Sequence, residues 1–199
     1  MKMADYLHNC GVDPIFIDNA STYQPLLDYY KNCKYETVLL DHNFGHTVIW
    51  DAGILFKLGI DDEYIVTDSD LDLTGVPKDF LDVLRRGLDK YPQYEKCALS
   101  LRIDDLPNIE FSNFVRKTEG GYWTRPLDDM YFDAATDTTF SLYRTRLKSF
   151  NSIRTNIPYC ARHVPWYYTD MNNISDDEKY YFKNIKTSTY YSHFIANSK

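Results

Sequence analysis

Apolar residues fall along this chain in short blocks, each soon interrupted by polar or glycine positions. Met3, Tyr6, Leu7 and Cys10 recur at helical spacing and Gly11 follows, which predicts a helix over 3–10 closed by a glycine cap. Pro14-Ile15-Phe16-Ile17-Asp18-Asn19 reads as a strand that ends in a carboxylate. Ser21-Thr22-Tyr23-Gln24 has capping-box spacing and predicts a helix ending near Asn32. Thr37-Val38-Leu39-Leu40-Asp41 is a second strand, 46–58 a helix, and Tyr64-Ile65-Val66-Thr67-Asp68 a third strand. Pro77 suits the first turn of a helix whose buried face carries Phe80, Leu81, Leu84 and Leu88 and which runs to Tyr91. Strands follow at 97–101 and 138–143, separated by an irregular stretch over 104–128 with a turn at Gly120-Gly121. Ser175-Asp176-Asp177-Glu178 opens a last helix over 176–185.

This alternation of strands and helices predicts one α/β domain over 1–199, with a mostly parallel central sheet flanked by helices. In such sheets ligands bind beyond the carboxyl ends of the strands, so Asp18, Asp41 and Asp68 are expected on one rim, with Asp70 beside them. Asp68 and Asp70 cannot both ionise cheaply at close range without a cation between them. A hard divalent ion, Mn²⁺ or Mg²⁺, answers that need and also holds phosphate oxygens.

The chain has 199 residues, 44% of them hydrophobic, which supports a sizeable core and excludes a disordered chain. A formal net charge of −7 argues against a broad nucleic-acid footprint. Cys10, Cys33, Cys97 and Cys160 are scattered without a CxxC pair, which argues against structural zinc and for free thiols in a reducing, cytoplasmic compartment. No apolar run is long enough to span a bilayer and no leader pattern opens the chain, so a soluble protein, or one peripheral to a membrane, is expected. The 18 tyrosines outnumber the 11 phenylalanines, which suits a surface that handles sugars or bases, since each offers an apolar face and a hydroxyl.

Five segments in order resemble a nucleotide-sugar glycosyltransferase of the GT-A fold, near the family 2 group. Ile17-Asp18-Asn19-Ala20-Ser21-Thr22 is similar to the family's VDNxST loop, and Asn43-Phe44-Gly45 to its NxG turn. Asp68-Ser69-Asp70 resembles the DxD signature. Asp137-Thr138-Thr139-Phe140-Ser141-Leu142-Tyr143 and Ala161-Arg162-His163-Val164-Pro165-Trp166-Tyr167 resemble two later blocks of a bacterial and viral subgroup. The resemblance implies that Asp18 contacts the nucleobase, with Asn19, Ser21, Asn43 and Gly45 lining the donor. It implies that Asp68 and Asp70 hold Mn²⁺ or Mg²⁺ and the donor diphosphate, that His163 adds to the metal, and that Arg162 faces the leaving diphosphate. The substrates implied are a nucleotide-diphosphate sugar and a carbohydrate or glycoconjugate acceptor. Two departures stand out. Trp50-Asp51-Ala52 occupies the place of the family's ARN block. The first helix also stands where the family's second element would, so a strand of about five residues is expected upstream, in a slot between residues 13–18 and 63–68.

Asp137 lies among small and apolar residues (Ala134, Ala135, Thr138, Phe140), so a desolvated carboxylate with a raised pKa is expected there as general base. Asp128 and Asp129 are its substitutes. Trp123, Trp166 and Tyr167 are candidate sugar-stacking faces or core residues. A rival reading is a haloacid-dehalogenase-type phosphatase, because Asp70-Leu71-Asp72-Leu73-Thr74 matches a DxDxT nucleophile motif. A degenerate, non-catalytic sugar-nucleotide-binding domain is a further alternative.

Overall fold

The computed structural model describes residues 2–170, 172 and 174–184. The end of the last expected helix, at residue 185, and the tail of the expected domain lie outside them. Seven helices are described: α1 (Lys2–Asn9), α2 (Gln24–Lys31), α3 (Val48–Asp51), α4 (Ile54–Lys57), α5 (Phe80–Lys90), α6 (Glu110–Glu119) and α7 (Asp176–Asn184). The ten strands are β1 (Ile15–Asp18), β2 (Glu36–Leu39), β3 (Tyr64–Val66), β4 (Leu71–Asp72), β5 (Lys96–Ala98), β6 (Ser100–Leu101), β7 (Tyr131–Asp133), β8 (Ser141–Tyr143), β9 (Ser152–Thr155) and β10 (Cys160–His163).

The architecture is mixed α/β, but the expected mostly parallel central sheet is not what forms. The largest sheet has the order β3-β8-β5-β9-β7, and only β5 and β9 run parallel in it. The reason is β8, which returns from a distant part of the chain and inserts antiparallel between β3 and β5. β10 lies between β4 and β6 in a second sheet, and β1 pairs parallel with β2 in a third. Among the described residues β1 bonds only to β2 and β3 only to β8, so the two strands do not pair with each other.

The five-stranded sheet has two unlike faces, because strand side chains alternate. Ile65, Leu142, Cys97 and Ile153 form one apolar row in register, and α5 covers it with Phe80, Val83, Leu84 and Leu88. Gly87 permits that close approach: a Cβ there would stand 2.8 Å from the Tyr131 ring and 3.0 Å from Cys97 Sγ. The opposite face carries Tyr64, Tyr143, Lys96 and Ser152 in one row and Ser141, Ala98 and Arg154 in the next. This second face is buried in two parts: the turn over 134–139 covers Lys96, Ser152 and Arg154, and residues of the α3–α4 segment, among them Trp50 and Leu55, pack on Tyr64 and Tyr143.

Several local expectations change. α1 closes as expected, with Gly11 at φ +78° and the Val12 N–H on the Leu7 carbonyl at 3.0 Å. The helix expected over 46–58 breaks into α3 and α4 at Gly53, whose φ of +65° no helix accommodates. No capping box opens α2: Tyr23 is the N-cap without a side-chain bond, and the Thr22 hydroxyl meets Tyr180 instead. The stretch expected to be irregular contains α6, which buries Phe111, Ser112, Val115 and Glu119 at helical spacing. α1 ties the β1–β2 unit to the rest, through Asp5 to Tyr35 on one side and the Tyr6 hydroxyl to the Val76 carbonyl on the other. No described helix is long and apolar enough to cross a membrane.

Candidate metal centre

Three chain segments meet beyond the end of β3. The antiparallel register of β3 with β8 sets Val66 against Ser141, and continuing it by two residues sets Asp68 against Thr139. The chain then turns into β4, whose register with β10 places Leu71 against His163. The Val164 N–H donates to the Asp70 carbonyl at 2.9 Å and closes this junction. Asp70 Oδ2 consequently lies 3.4 Å from His163 Nε2. One ligand atom each of Asp68, Asp70 and His163 falls within 4.8 Å of the others.

Asp68 is half-buried. Burial raises its pKa above the usual carboxylate range, Asp70 and Asp137 push it the same way, and the Thr139 hydroxyl and His163 oppose them. The Thr139 hydroxyl lies 2.9 Å from Asp68 Oδ2 and 2.9 Å from Asp137 Oδ1, and the Thr138 hydroxyl donates to Asp68 Oδ1 at 3.3 Å. The two carboxylates suit Mn²⁺ or Mg²⁺, the imidazole nitrogen favours Mn²⁺ of the two, and the two threonine hydroxyls orient one of those carboxylates from behind.

Asp137 joins this cluster, but its surroundings differ from expectation. It is exposed, so the desolvation expected for it falls on Asp68. Its Oδ1 accepts the Thr139 N–H at 3.2 Å, which makes it the first residue of a turn whose carboxylate stays open to solvent. Asp128 does not join the cluster. Burial would raise its pKa, but bonds from Lys90, Tyr91 and the N–H groups of Met130 and Tyr131 pull it down to about 2.

His163 and Arg162 are neighbours on β10 and therefore point to opposite faces. Arg162 is held by Asp105, at 2.8 Å from Nε, and by the Thr74 carbonyl at 3.0 Å, away from Asp70. The expected contact of Arg162 with a diphosphate thus has no support in its geometry. Trp166 is a core residue, 2% exposed, rather than an open sugar platform. Tyr167 spends its hydroxyl on Asp105, and Trp123 packs edge-on against Phe132. Asp41 is exposed beyond the end of β2, bonds to His42 and is not among the residues grouped with Asp68. Asp72 lies in β4 and accepts the Thr74 N–H at 2.9 Å, which closes the turn that follows.

A second group forms at the end of β1. Asp18 is 4% exposed, and its Oδ1 accepts the Ser21 N–H at 2.9 Å across a loop in which Ala20 adopts φ 62°. Its Oδ2 is buried and accepts no complete hydrogen bond among the described residues. The nearby Tyr30 hydroxyl has its pKa raised to about 12 by burial and then by the Asp18 charge. The Asn19 side chain donates to Asn43 Oδ1 and the Gly45 carbonyl, both at 2.9 Å, and accepts the Phe44 N–H at 2.8 Å. Asn19, Asn43 and Gly45 therefore form one hydrogen-bonded unit, in which Gly45 supplies φ +78°. α7 links the two groups. Tyr180 bonds Thr22 at 2.9 Å and packs on Tyr23 at 4.8 Å, while Glu178, raised in pKa by burial and then by Asp70, faces the metal centre.

The sequence reading missed Thr138, Thr139, Lys96, Arg154 and Glu178. Continuing the β3–β8 register identifies Thr139, whereas no local pattern marks a buried lysine as a partner of a distant turn. No model of a known protein family, no curated protein and no solved structure matches this chain.

Proposed function

We propose that this protein is a metal-dependent glycosyltransferase that moves a sugar from a nucleotide-diphosphate donor to a hydroxyl of a carbohydrate or glycoconjugate acceptor. The observation that carries the reading is that His163, from a distant part of the chain, comes within 4.8 Å of the neighbouring Asp68 and Asp70. The buried Asp18 at the β1 loop supports it, since its Oδ2, which has only the Tyr30 hydroxyl near it, can accept a further N–H such as that of a nucleobase edge.

In this reading Asp68, Asp70 and His163 hold Mn²⁺ or Mg²⁺ against the donor diphosphate. The ion supplies Lewis acidity at the leaving group. Asp137 accepts the proton of the acceptor hydroxyl as that oxygen bonds to the anomeric carbon and the carbon–oxygen bond to the diphosphate breaks. Its exposure leaves it open to an acceptor, and Thr139 fixes its direction. Asp18 fixes the base, and the Asn19–Asn43–Gly45 unit shapes the loop beside it.

The test is product analysis with Mn²⁺ and a panel of nucleotide sugars. Release of nucleoside diphosphate by the wild type, lost together with Mn²⁺ binding in Asp70→Ala, is the expected result. Inorganic phosphate as product points to a phosphatase, and unchanged Mn²⁺ affinity in Asp70→Ala overturns the metal assignment.

A further inference from the structure

Lys96 is fully buried, and the acceptors its amine bonds are oxygens without a formal charge. A charge buried in this way is costly unless its donors are well used. Its ammonium donates to the Asp137 carbonyl and to the Tyr143 hydroxyl at 2.9 Å, with the Tyr143 ring centroid 4.9 Å away. The Tyr143 hydroxyl reaches the same Asp137 carbonyl at 3.2 Å. The preceding carbonyls are held in the same manner. Ser152 donates to Ala134 at 2.8 Å, and Arg154 donates to Ala135 from Nε at 2.9 Å and Nη2 at 2.6 Å. Arg154 is anchored in turn by buried Glu119 and by the Tyr122 ring, 4.0 Å from Cζ. The polar sheet face thus grips one side of the 134–137 backbone, and the next two residues on that turn present their hydroxyls to Asp68.

We infer that Lys96 is a positioning residue for the metal centre: through the Asp137 carbonyl it fixes the turn from which Thr139 orients Asp68 and Asp137 directs its carboxylate. The inference rests on the glycosyltransferase reading for its metal readout, and on geometry alone for its structural one. Lys96 touches neither metal ligands nor acceptor, so its effect passes through the turn. A stabilising role without this coupling would leave the turn and the metal site independent of each other.

The test uses the full chain, with Lys96→Met as the main variant. Methionine keeps the length of the lysine stem and drops the charge, and Lys96→Gln, too short to reach the Asp137 carbonyl, serves if Lys96→Met does not fold. Amide hydrogen exchange of residues 134–139 is expected to accelerate in the variant while that of α5 is unchanged. Unchanged exchange at the turn overturns the inference whether or not the protein binds metal. Mn²⁺ affinity, titrated with Mn²⁺ alone, is expected to fall about 10–100-fold, the range for losing an outer-shell partner. Thr139→Val is expected to lose a similar amount, Thr139→Ser to retain wild-type affinity, and Lys96→Met/Thr139→Val to lose no more than the larger single loss. Losses that multiply in the double variant overturn the coupling, since independent sites add in free energy. A wild type that takes up no Mn²⁺ defeats the glycosyltransferase reading and leaves the exchange result to decide the role of Lys96.

Discussion

Asp68 and Asp137 meet on a single hydroxyl: Thr139 Oγ1 lies 2.9 Å from an oxygen of each. That hydroxyl has one hydrogen to give. Each carboxylate also has a second donor, the Thr139 N–H at 3.2 Å for Asp137 and the Thr138 hydroxyl at 3.3 Å for Asp68, and the Thr139 hydroxyl is the shorter of the two bonds to Asp68. Burial keeps the Asp68 pKa above its ordinary value of 3.8, and the Thr139 bond counters part of that rise. With a raised folded-state pKa, the native state holds a proton that the unfolded state has already released. Without metal, stability is therefore lost as pH rises through the folded value. Mn²⁺ competes with the same proton, so its affinity climbs over the same interval. The Asp70 and His163 protons compete for the ion too and are common to the wild type and Thr139→Val, so titrating Mn²⁺ from acid to neutral pH in both isolates Asp68, and the climb should lie at higher pH in Thr139→Val. An unmoved midpoint in that variant would show that the hydroxyl does not serve Asp68.

Asp137→Asn separates charge from geometry. The amide oxygen still accepts the Thr139 N–H, so the turn keeps its shape. What disappears is the basic carboxylate. Turnover of a nucleotide-sugar donor and acceptor should fall about 10²–10⁴-fold, the usual contribution of a general base, with little change in donor affinity. Wild-type turnover in Asp137→Asn would place the base elsewhere.

Much of this arrangement was legible in the sequence, and the parts that were not share a physical cause. The helical spacing of Phe80, Leu84 and Leu88 announced α5, and Ile15-Phe16-Ile17 announced β1. The Asp68–Asp70 pair, placed after a branched apolar run, marked the carboxylates that the fold brings together with His163. β9 escaped notice because Ser152-Ile153-Arg154-Thr155 has one apolar residue in four, although all four are buried. Its polar side chains are satisfied by the 134–136 turn and by neighbouring strands, partners that no local pattern discloses. The same holds for strand direction: nothing near β8 states that it will insert between β3 and β5. α6 was legible in principle, from Phe111, Phe114 and Val115 at helical spacing ahead of Gly120-Gly121.

Asp18→Asn probes the second group. Asparagine retains an oxygen for the Ser21 N–H and replaces the buried Oδ2 with an N–H₂ donor. A ligand that presents a ring N–H to Asp18 would then meet a donor instead of an acceptor, at a cost of about 1–3 kcal/mol. Calorimetry should show weaker binding of uridine or guanosine diphosphate, whose bases carry such an N–H, and little change for adenosine or cytidine diphosphate. Equal losses across all four would mean that Asp18 shapes the loop without reading the base.

Lys96 gives the protein a pH signature of its own. Burial is the main influence on its amine, Arg154 adds to it and Asp137 opposes it, and together they bring the pKa from 10.5 down to about 8. Between those values the unfolded chain holds a proton that the folded protein has shed, so this residue makes stability rise with pH across that window. Below pH 8 the folded protein carries the buried charge at full cost. Burial also pushes the Cys97 and Cys160 thiols up, which works in the opposite direction above pH 9, their ordinary value. Those thiols are shared with Lys96→Met, so their influence cancels in a comparison of the two proteins. Urea unfolding at intervals from pH 7 to 10.5 should therefore show the wild type gaining on Lys96→Met steadily above pH 8. A constant difference across the range would mean that the Lys96 amine titrates as an ordinary lysine, and that the polar sheet face holds its charge without strain.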